Sequence, residues 1–393
     1  MVAYNYESRR YLSALWGVPG QLVGPKTWRQ AIPRAASFVR VARHRKERLA
    51  ALQKVFPEAR VVEVLHHRAH GLYAFASSGY DRSAVLVVDS LGEIQTTSIA
   101  MATRDPSGTC DFRVIDSLRD PASLGYAYGA VTGFLGWCRG DGEGTVMALA
   151  ALGDPTRYHH VMEEAIRLTD RGFEPDPSYF PLRVLSSRHH RISRLRGSDL
   201  PLQAPGPATR PRGRSQMKNP KASQWTKRDT KTGRFMDGKA DGKPFKASGR
   251  NADGPSDCIG GERCRLIPQV ADLAAALQQR TEDILLHLAQ RARTETGARR
   301  LCLAGGVAMN CVAVGRIVEA GIFDEVQVPP SPADGGTAIG AAIATHLEVT
   351  GRLPQGATDA CYLGPRPGPV DLTTASGVHA GPAFGTSPSA TGE

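Results

Sequence analysis

The sequence predicts an α/β fold with parallel wrapping. Strand, glycine turn and helix recur over residues 300–347. Ser83-Ala84-Val85-Leu86-Val87-Val88-Asp89 is a continuous apolar strand that ends on an acid. Leu273, Leu277, Ile284, Leu285 and Leu288 mark one face of a long helix that ends near Gly297.

The elements follow in order. Residues 1–57 are basic and mostly helical in pattern, with apolar residues at helical spacing over 40–55. Residues 59–65 read as a strand and 69–77 as a helix of small residues. After the strand at 83–89, residues 95–102 and 112–117 alternate like antiparallel strands. Residues 122–137 predict a helix, 144–152 a second and buried one, and 158–169 an amphipathic one. Residues 188–264 are rich in Pro, Gly, Ser, Lys and Arg and poor in aliphatic side chains. They offer too little apolar surface to offset their chain entropy, so disorder is expected there. Order resumes at Val270. Residues 300–304 predict a strand, Gly305-Gly306 a turn, 308–320 a helix, 325–328 a strand and 335–347 a last helix. The tail, rich in Gly, Ser, Pro and Ala, is expected to be disordered.

Charge is unevenly spread. The 393 residues carry a net +11. Residues 183–250 hold 18 Lys and Arg against 4 Asp, and the remainder holds 31 basic against 34 acidic residues. The basic stretch has only Trp225, Phe235 and Phe245 for stacking and no recognisable binding motif, so nucleic acid is not the expected partner. No apolar run reaches the roughly 18 residues of a membrane-spanning helix. Residues 1–12 have no apolar core of a signal peptide. The seven cysteines are scattered, which fits a reduced, cytoplasmic setting.

Several motifs are suited to chemistry. In His66-His67-Arg68-Ala69-His70, His66 and His70 are four apart and share one face of a helix, close enough to hold one metal. A surface histidine cluster is the ordinary alternative, because two histidines do not close a site. Asp89 lies at the carboxyl end of an apolar strand, where a metal or phosphate site is well placed, and a turn-forming Asp is its alternative. Ala304-Gly305-Gly306-Val307-Ala308-Met309-Asn310 follows a strand and opens a helix whose free N–H groups suit phosphate; it lacks the ending of a Walker A loop. Ala333-Asp334-Gly335-Gly336-Thr337 repeats the arrangement, with Asp334 either a metal ligand or an N-cap. Gly140-Asp141-Gly142-Glu143-Gly144 reads as a pocket-lining loop or an exposed turn. The pairs His159-His160 and His189-His190 have no partner at ligand spacing.

Together these residues resemble the nodulation-type O-carbamoyltransferase family. The matching stretches are His66 to His70, the run from Ala84 to Glu93, Ser123-Leu124-Gly125 with Val131-Thr132, Gly140 to Gly144 with the run from Met147 to Ala150, Cys302 to Cys311, and Ala333 to Ala342, in the family's order. The resemblance implies an actin/Hsp70-like, RNase H-like two-lobed core similar to the tRNA threonylcarbamoyl-transfer protein. It implies that His66, His70, Asp89 and Asp334 hold a metal, expected to be Fe(II). It implies that Gly305, Gly306, Asn310, Gly335, Gly336, Thr337 and Gly142 meet ATP or carbamoyl-adenylate, and that Asp89, His67 and Glu143 serve catalysis. The expected organisation is a basic helical segment at 1–57, a first lobe at 58–187, a disordered basic insert at 188–265, a second lobe at 266–365 and a tail at 366–393.

The implied reaction moves a carbamoyl group from carbamoyl-adenylate to a hydroxyl of a sugar, Nod-factor-like or antibiotic acceptor. The adenylate is made from carbamoyl phosphate and ATP by a second domain. Departures from the family pattern stand out. The opening strand–turn–strand is missing, Thr145 replaces a Lys, Ala122 replaces a His, and the family pattern ends just after Pro365, where the adenylate-forming domain should begin. The expectation is therefore an incomplete member that does not make carbamoyl-adenylate unaided. The alternatives are a degenerate, non-catalytic fragment or a basic nucleic-acid binder.

Overall fold

The computed structural model describes residues 1–24, 27–181 and 262–354, and four strands between 214 and 250. The first of two compact units is Met1–Asp359. Residues 360–393, and with them the tail expected at 366–393, lie outside the described residues.

The chain opens with β1 (Val2–Tyr4), α1 (Val18–Val23) and the long α2 (Trp28–Val55). Next come β2 (Val61–Glu63), α3 (His66–Ser78) and the antiparallel run β3 (Arg82–Gly92), β4 (Gln95–Arg104) and β5 (Cys110–Arg119). Then follow α4 (Leu124–Phe134), α5 (Glu143–Ala150), α6 (His159–Ala165) and the hairpin β6 (Ile166–Thr169) and β7 (Gly172–Pro175). Strands β8 (Arg214–Asn219), β9 (Gln224–Asp229), β10 (Phe235–Lys239) and β11 (Gly249–Arg250) form a sheet of their own. Last come α7 (Glu262–Thr296), β12 (Arg300–Ala304), α8 (Cys311–Glu319), β13 (Glu325–Gln327) and α9 (Thr337–Thr350).

The main sheet has the order β13-β12-β3-β4-β5. Strand β3 is its pivot, parallel to β12 on one side and antiparallel to β4 on the other. Side chains alternate across a strand. Ala84, Leu86 and Val88 therefore meet α4 and α7 through Leu124, Val131, Leu277 and Leu285. Val85 and Val87 face the other way, onto Leu72 and Phe75 of α3 and Ile343 and Leu347 of α9. The result is three layers, helix, sheet, helix. The same parity sends Asp89 toward α3. The α7 stripe read from the sequence is fully buried at Leu273, Leu277, Ile284, Leu285 and Leu288, each contributing about 1.5–3 kcal/mol relative to exposure. Helix α2 is fastened by a buried ion pair between Arg34 and Asp120 and by the Arg34 guanidinium lying over Phe38. Among the described residues, no helix is long and apolar enough to cross a membrane.

The structure departs from the sequence reading at several points. The stretches 58–187 and 266–365, expected as separate lobes, share one sheet, because Leu301 to Ala304 pair with Ala84 to Val87. The start is not wholly helical: Val2 pairs in parallel with Val61, a partner that no local pattern reveals. The helix expected at 158–169 stops at Ala165, and the chain turns into a hairpin. Ile166 and Thr169 are β-branched and favour a strand, and Gly172, at φ +149°, permits the return. Helix α5 is mostly half-buried or exposed, with Val146 its one buried residue, because small residues tolerate either environment. The helix expected at 308–320 starts later, since Asn310 accepts a hydrogen bond from the Ala313 N–H and caps α8. Four strands stand inside the stretch 188–265, where disorder is expected; the rest of it up to residue 261 lies outside the described residues.

Candidate metal centre

Four side chains converge where β3 ends. His66 and His70 occupy the first turns of α3, and both are fully buried. Their Nε2 atoms are 3.0 Å apart. The His66 Nε2 is 3.5 Å from Asp89 Oδ2 and 3.3 Å from Asp334 Oδ1, and the His70 Nε2 is 3.7 Å from Asp334 Oδ1. One ligand atom from each of the four lies within 4.8 Å of the others. Ligands held about 2.1 Å from a common cation stand about 3.0–3.4 Å apart, and the 3.0–3.7 Å separations around His66 and Asp334 are close to that. Two imidazoles and two carboxylates also suit a divalent ion such as iron or zinc. Asp334 closes the open side, with its side chain 67% exposed.

The local structure explains the convergence. Strand β3 leaves its register with β4 between Val88 and Gly92, so Asp89 sits at a bulge, free of the ladder. Its second oxygen accepts the Gly306 N–H at 3.1 Å. Gly305, at φ +93°, brings the turn after β12 so close that a Cβ there would stand 2.2 Å from the Val88 carbonyl. The Gly305 N–H in turn donates to the Pro332 carbonyl, which joins this turn to the one carrying Asp334. The His66 Nδ1 is 3.3 Å from the Asn5 carbonyl. Donation to that oxygen fixes the tautomer that aims the Nε2 lone pair into the cluster. The Tyr6 ring stacks on His66 at 4.4 Å, and the Arg45 guanidinium covers Tyr6 at 3.8 Å.

Charge in the cluster is tightly coupled. Burial opposes ionisation of His66, yet its bonds to Asp334 and Asp89 prevail and push its pKa up to about 10. Burial likewise opposes the Asp89 carboxylate, and His66 outweighs it, holding the group well below the usual carboxylate range. Bonds from His66 and His70 hold Asp334 down as well. A cation entering the cluster takes the place of the His66 proton. Glu93, next to the site, accepts the N–H groups of Glu7 and His66 and so serves the start of α3, which has no side-chain cap from Leu65. Burial pushes its carboxyl up to about 7.

A folded-state pKa above the unfolded value of 4.5 means that this group's stabilisation is complete below pH 4.5 and is lost as pH rises through 7. Glu93→Gln removes that dependence. Denaturant unfolding of the two metal-free proteins is expected to show the variant gaining about 2 kcal/mol on the wild type between pH 5 and 7. A difference independent of pH would count against it.

Other residues singled out in the sequence do not join the cluster. The His67 ring meets β4, with its Nδ1 3.0 Å from Ser98 Oγ; burial lowers its pKa to about 3 and keeps it neutral. Glu143 accepts the Gly140 N–H and closes its own loop, against which Gly142 is buried. The Asn310 amide pairs with that of Gln278, which also accepts from the Tyr128 hydroxyl. Thr337 donates to the Asp334 carbonyl. Gly335 and Gly336 form a single 3-10 turn with Asp334. His159 pairs with Glu163 near the surface, and His189 and His190 lie outside the described residues. Asn5, Tyr6 and Glu93, which belong to no ligand motif, also surround the cluster. Their available signal was the run Tyr4-Asn5-Tyr6 at the head of a basic segment, and an acid four residues beyond Asp89.

An α/β protein with a two-histidine, two-carboxylate cluster beside paired glycine turns is the class defined so far. A family model described as "Carbamoyltransferase N-terminus" matches residues 8–182 and 245–343, well over half of the sequence, and the chain belongs to that family. Nodulation protein NolO of Bradyrhizobium diazoefficiens is 28% identical over 300 residues, 76% of this chain and 41% of NolO. Nodulation protein NolNO of Sinorhizobium fredii is 27% identical over 307 residues, 78% of this chain and 34% of NolNO. The uncharacterized protein sll1178 of Synechocystis is 29% identical over 310 residues, 77% of this chain and 40% of that protein. The chain thus spans about two fifths of the length of such relatives. Among solved structures, the crystal structure of T. kodakarensis HypF aligns with 80% of this chain and 40% of that chain, at 14% identity and a TM-score of 0.34.

Proposed function

We propose that this chain is the metal-holding core of an O-carbamoyltransferase that passes a carbamoyl group from carbamoyl-adenylate to a hydroxyl of a sugar, oligosaccharide or antibiotic-type acceptor. The observation that carries the reading is the convergence of His66, His70, Asp89 and Asp334 in a chain of the carbamoyltransferase family. The similarity to nodulation proteins is consistent with a Nod-factor-like acceptor. The mixed sheet, three antiparallel strands continued by two parallel ones, agrees with one half of an actin/Hsp70-like core.

In the proposed transfer the acceptor oxygen attacks the carbamoyl carbon, the bond from that carbon to the adenylate phosphate oxygen breaks, and AMP leaves. The acceptor proton passes to a base, for which Asp89 is the candidate by the family resemblance. His66, His70, Asp89 and Asp334 would hold a divalent ion, Fe(II) by the family resemblance, which would supply positive charge for a carbamoyl or phosphate oxygen. The turns at Gly305-Gly306 and Gly335-Gly336 offer backbone N–H groups to phosphate beside that cluster. Holding donor and acceptor in one cleft supplies the proximity term. The donor, carbamoyl-adenylate, would be made from carbamoyl phosphate and ATP by an adenylate-forming domain.

The test uses purified, metal-loaded protein. With supplied carbamoyl-adenylate and a chito-oligosaccharide, acceptor-dependent AMP release and a mass gain of one carbamoyl group are expected. Stoichiometric metal with no transfer to any hydroxyl acceptor would favour a second reading, a chain that binds without turnover. Ala122 and Thr145, where the family carries a His and a Lys, support that second reading.

A further inference from the structure

We propose that Asn5 is a positioning residue of this metal centre, a strut tying the histidine helix to the turn that carries Asp334. The inference rests on the metal reading of the cluster and extends it to a residue that no motif contains. Asn5 makes two contacts in opposite directions. Its backbone carbonyl receives His66 Nδ1 at 3.3 Å, and its side-chain Nδ2 donates to Thr337 Oγ1. Thr337 Oγ1 passes its own proton on to the Asp334 carbonyl at 2.6 Å. One residue therefore joins a ligand on α3 to the backbone of a second ligand, through Thr337 at the start of α9, 332 positions farther along the chain than Asn5.

The strut matters because the four ligands are unequally supported. His66 is fully buried and stacked under Tyr6, and Asp89 is locked by the Gly306 N–H. Asp334 is the loosest, 67% exposed and placed on a short 3-10 turn with no side-chain cap. Its reach toward His66 and His70 depends on where that turn sits, and the Asn5–Thr337–Asp334 chain of hydrogen bonds fixes it. Outer partners of this kind orient ligands, and their loss typically costs 10- to 100-fold in metal affinity. Tyr6 and Arg45 hold the other flank: Arg45 on Tyr6, and Tyr6 on the His66 ring, keep the 4–7 segment pressed on the cluster. Glu93, which accepts the Glu7 N–H, closes the segment from below.

The probe is Co(II) alone, titrated into the full chain and followed by its visible absorption, with melting of the metal-free proteins as the check on folding. Asn5→Ala, and Asn5→Leu as a near-isostere with no N–H to give, are each expected to bind Co(II) 10- to 100-fold more weakly than wild type and to alter the absorption envelope, with melting little changed. Thr337→Val is expected to weaken binding similarly. The Asn5→Ala/Thr337→Val double variant is expected to be no weaker than either single one, because both break the same strut. Asn5 variants that bind Co(II) as tightly as wild type, or a double variant whose losses add, would overturn the strut while leaving the metal centre standing. A wild-type protein that binds no Co(II) would overturn the metal reading itself, and the role of Asn5 with it.

Discussion

Replacing His66 by alanine is expected to reduce metal affinity by at least about 100-fold, beyond the usual cost of an outer-sphere change. The reason is its central position. His66 Nε2 lies within 3.5 Å of the other three ligand groups. The same ring carries the Asn5 contact and the Tyr6 stack. Its loss removes one ligand and also leaves the buried Asp89 carboxylate near that of Asp334 without the imidazole that holds them ionised. Elemental analysis after dialysis is the check: about one equivalent in wild type and a small residue in the variant. Equal metal content in the two proteins would contradict the assignment. His159→Ala is the control, since that ring pairs with Glu163 near the surface and should leave metal content unchanged.

Gly305→Ala is expected to cost about 3 kcal/mol of folding stability or more. Two penalties combine. The backbone at Gly305 has φ +93°, which costs an L-residue roughly 1–2 kcal/mol. A Cβ would also stand 2.2 Å from the Val88 carbonyl, and overpacking of this kind costs roughly 1–3 kcal/mol more. The partner atom is backbone in the central strand and cannot turn aside. Relief would push the turn away from Asp89, breaking the bond from the Gly306 N–H, so metal affinity should fall together with stability. Gly315→Ala, in α8 where a Cβ meets nothing within 4 Å, is the comparison and should be neutral or slightly stabilising. Chemical denaturation of the two variants is the measurement; a Gly305→Ala protein as stable as Gly315→Ala would refute the steric account.

Much of this was legible in the sequence, for identifiable reasons. The strand ending on Asp89, the helical spacing of His66 and His70, and the repeated glycine turns each depend on short-range pattern. Strand 300–304 and the apolar face of α7 did so too, and the structure agrees on these elements. What escaped was non-local. The pairing of β1 with β2, and of β12 with β3, depends on partners far apart in sequence. So does the Asn5 bridge. The assignment of His67 by its place in the motif met a different difficulty. Adjacent residues on a helix point about 100° apart, so His66 and His67 cannot share a face. The segment at 166–169 misled because its apolar spacing suits a helix and only the following glycine at 172 permits the hairpin. Small residues at 144–152 signalled burial, yet they report only tolerance of it.

The central claim is a metal held by His66, His70, Asp89 and Asp334. The most direct test is an anomalous difference map, collected at the absorption edge of the metal in crystals of the loaded protein. The expected result is one peak about 2.1 Å from the Nε2 atoms of His66 and His70, with a carboxylate oxygen from each of Asp89 and Asp334 at similar range. A peak elsewhere, or none at that position in a protein carrying a full equivalent of metal, would contradict it.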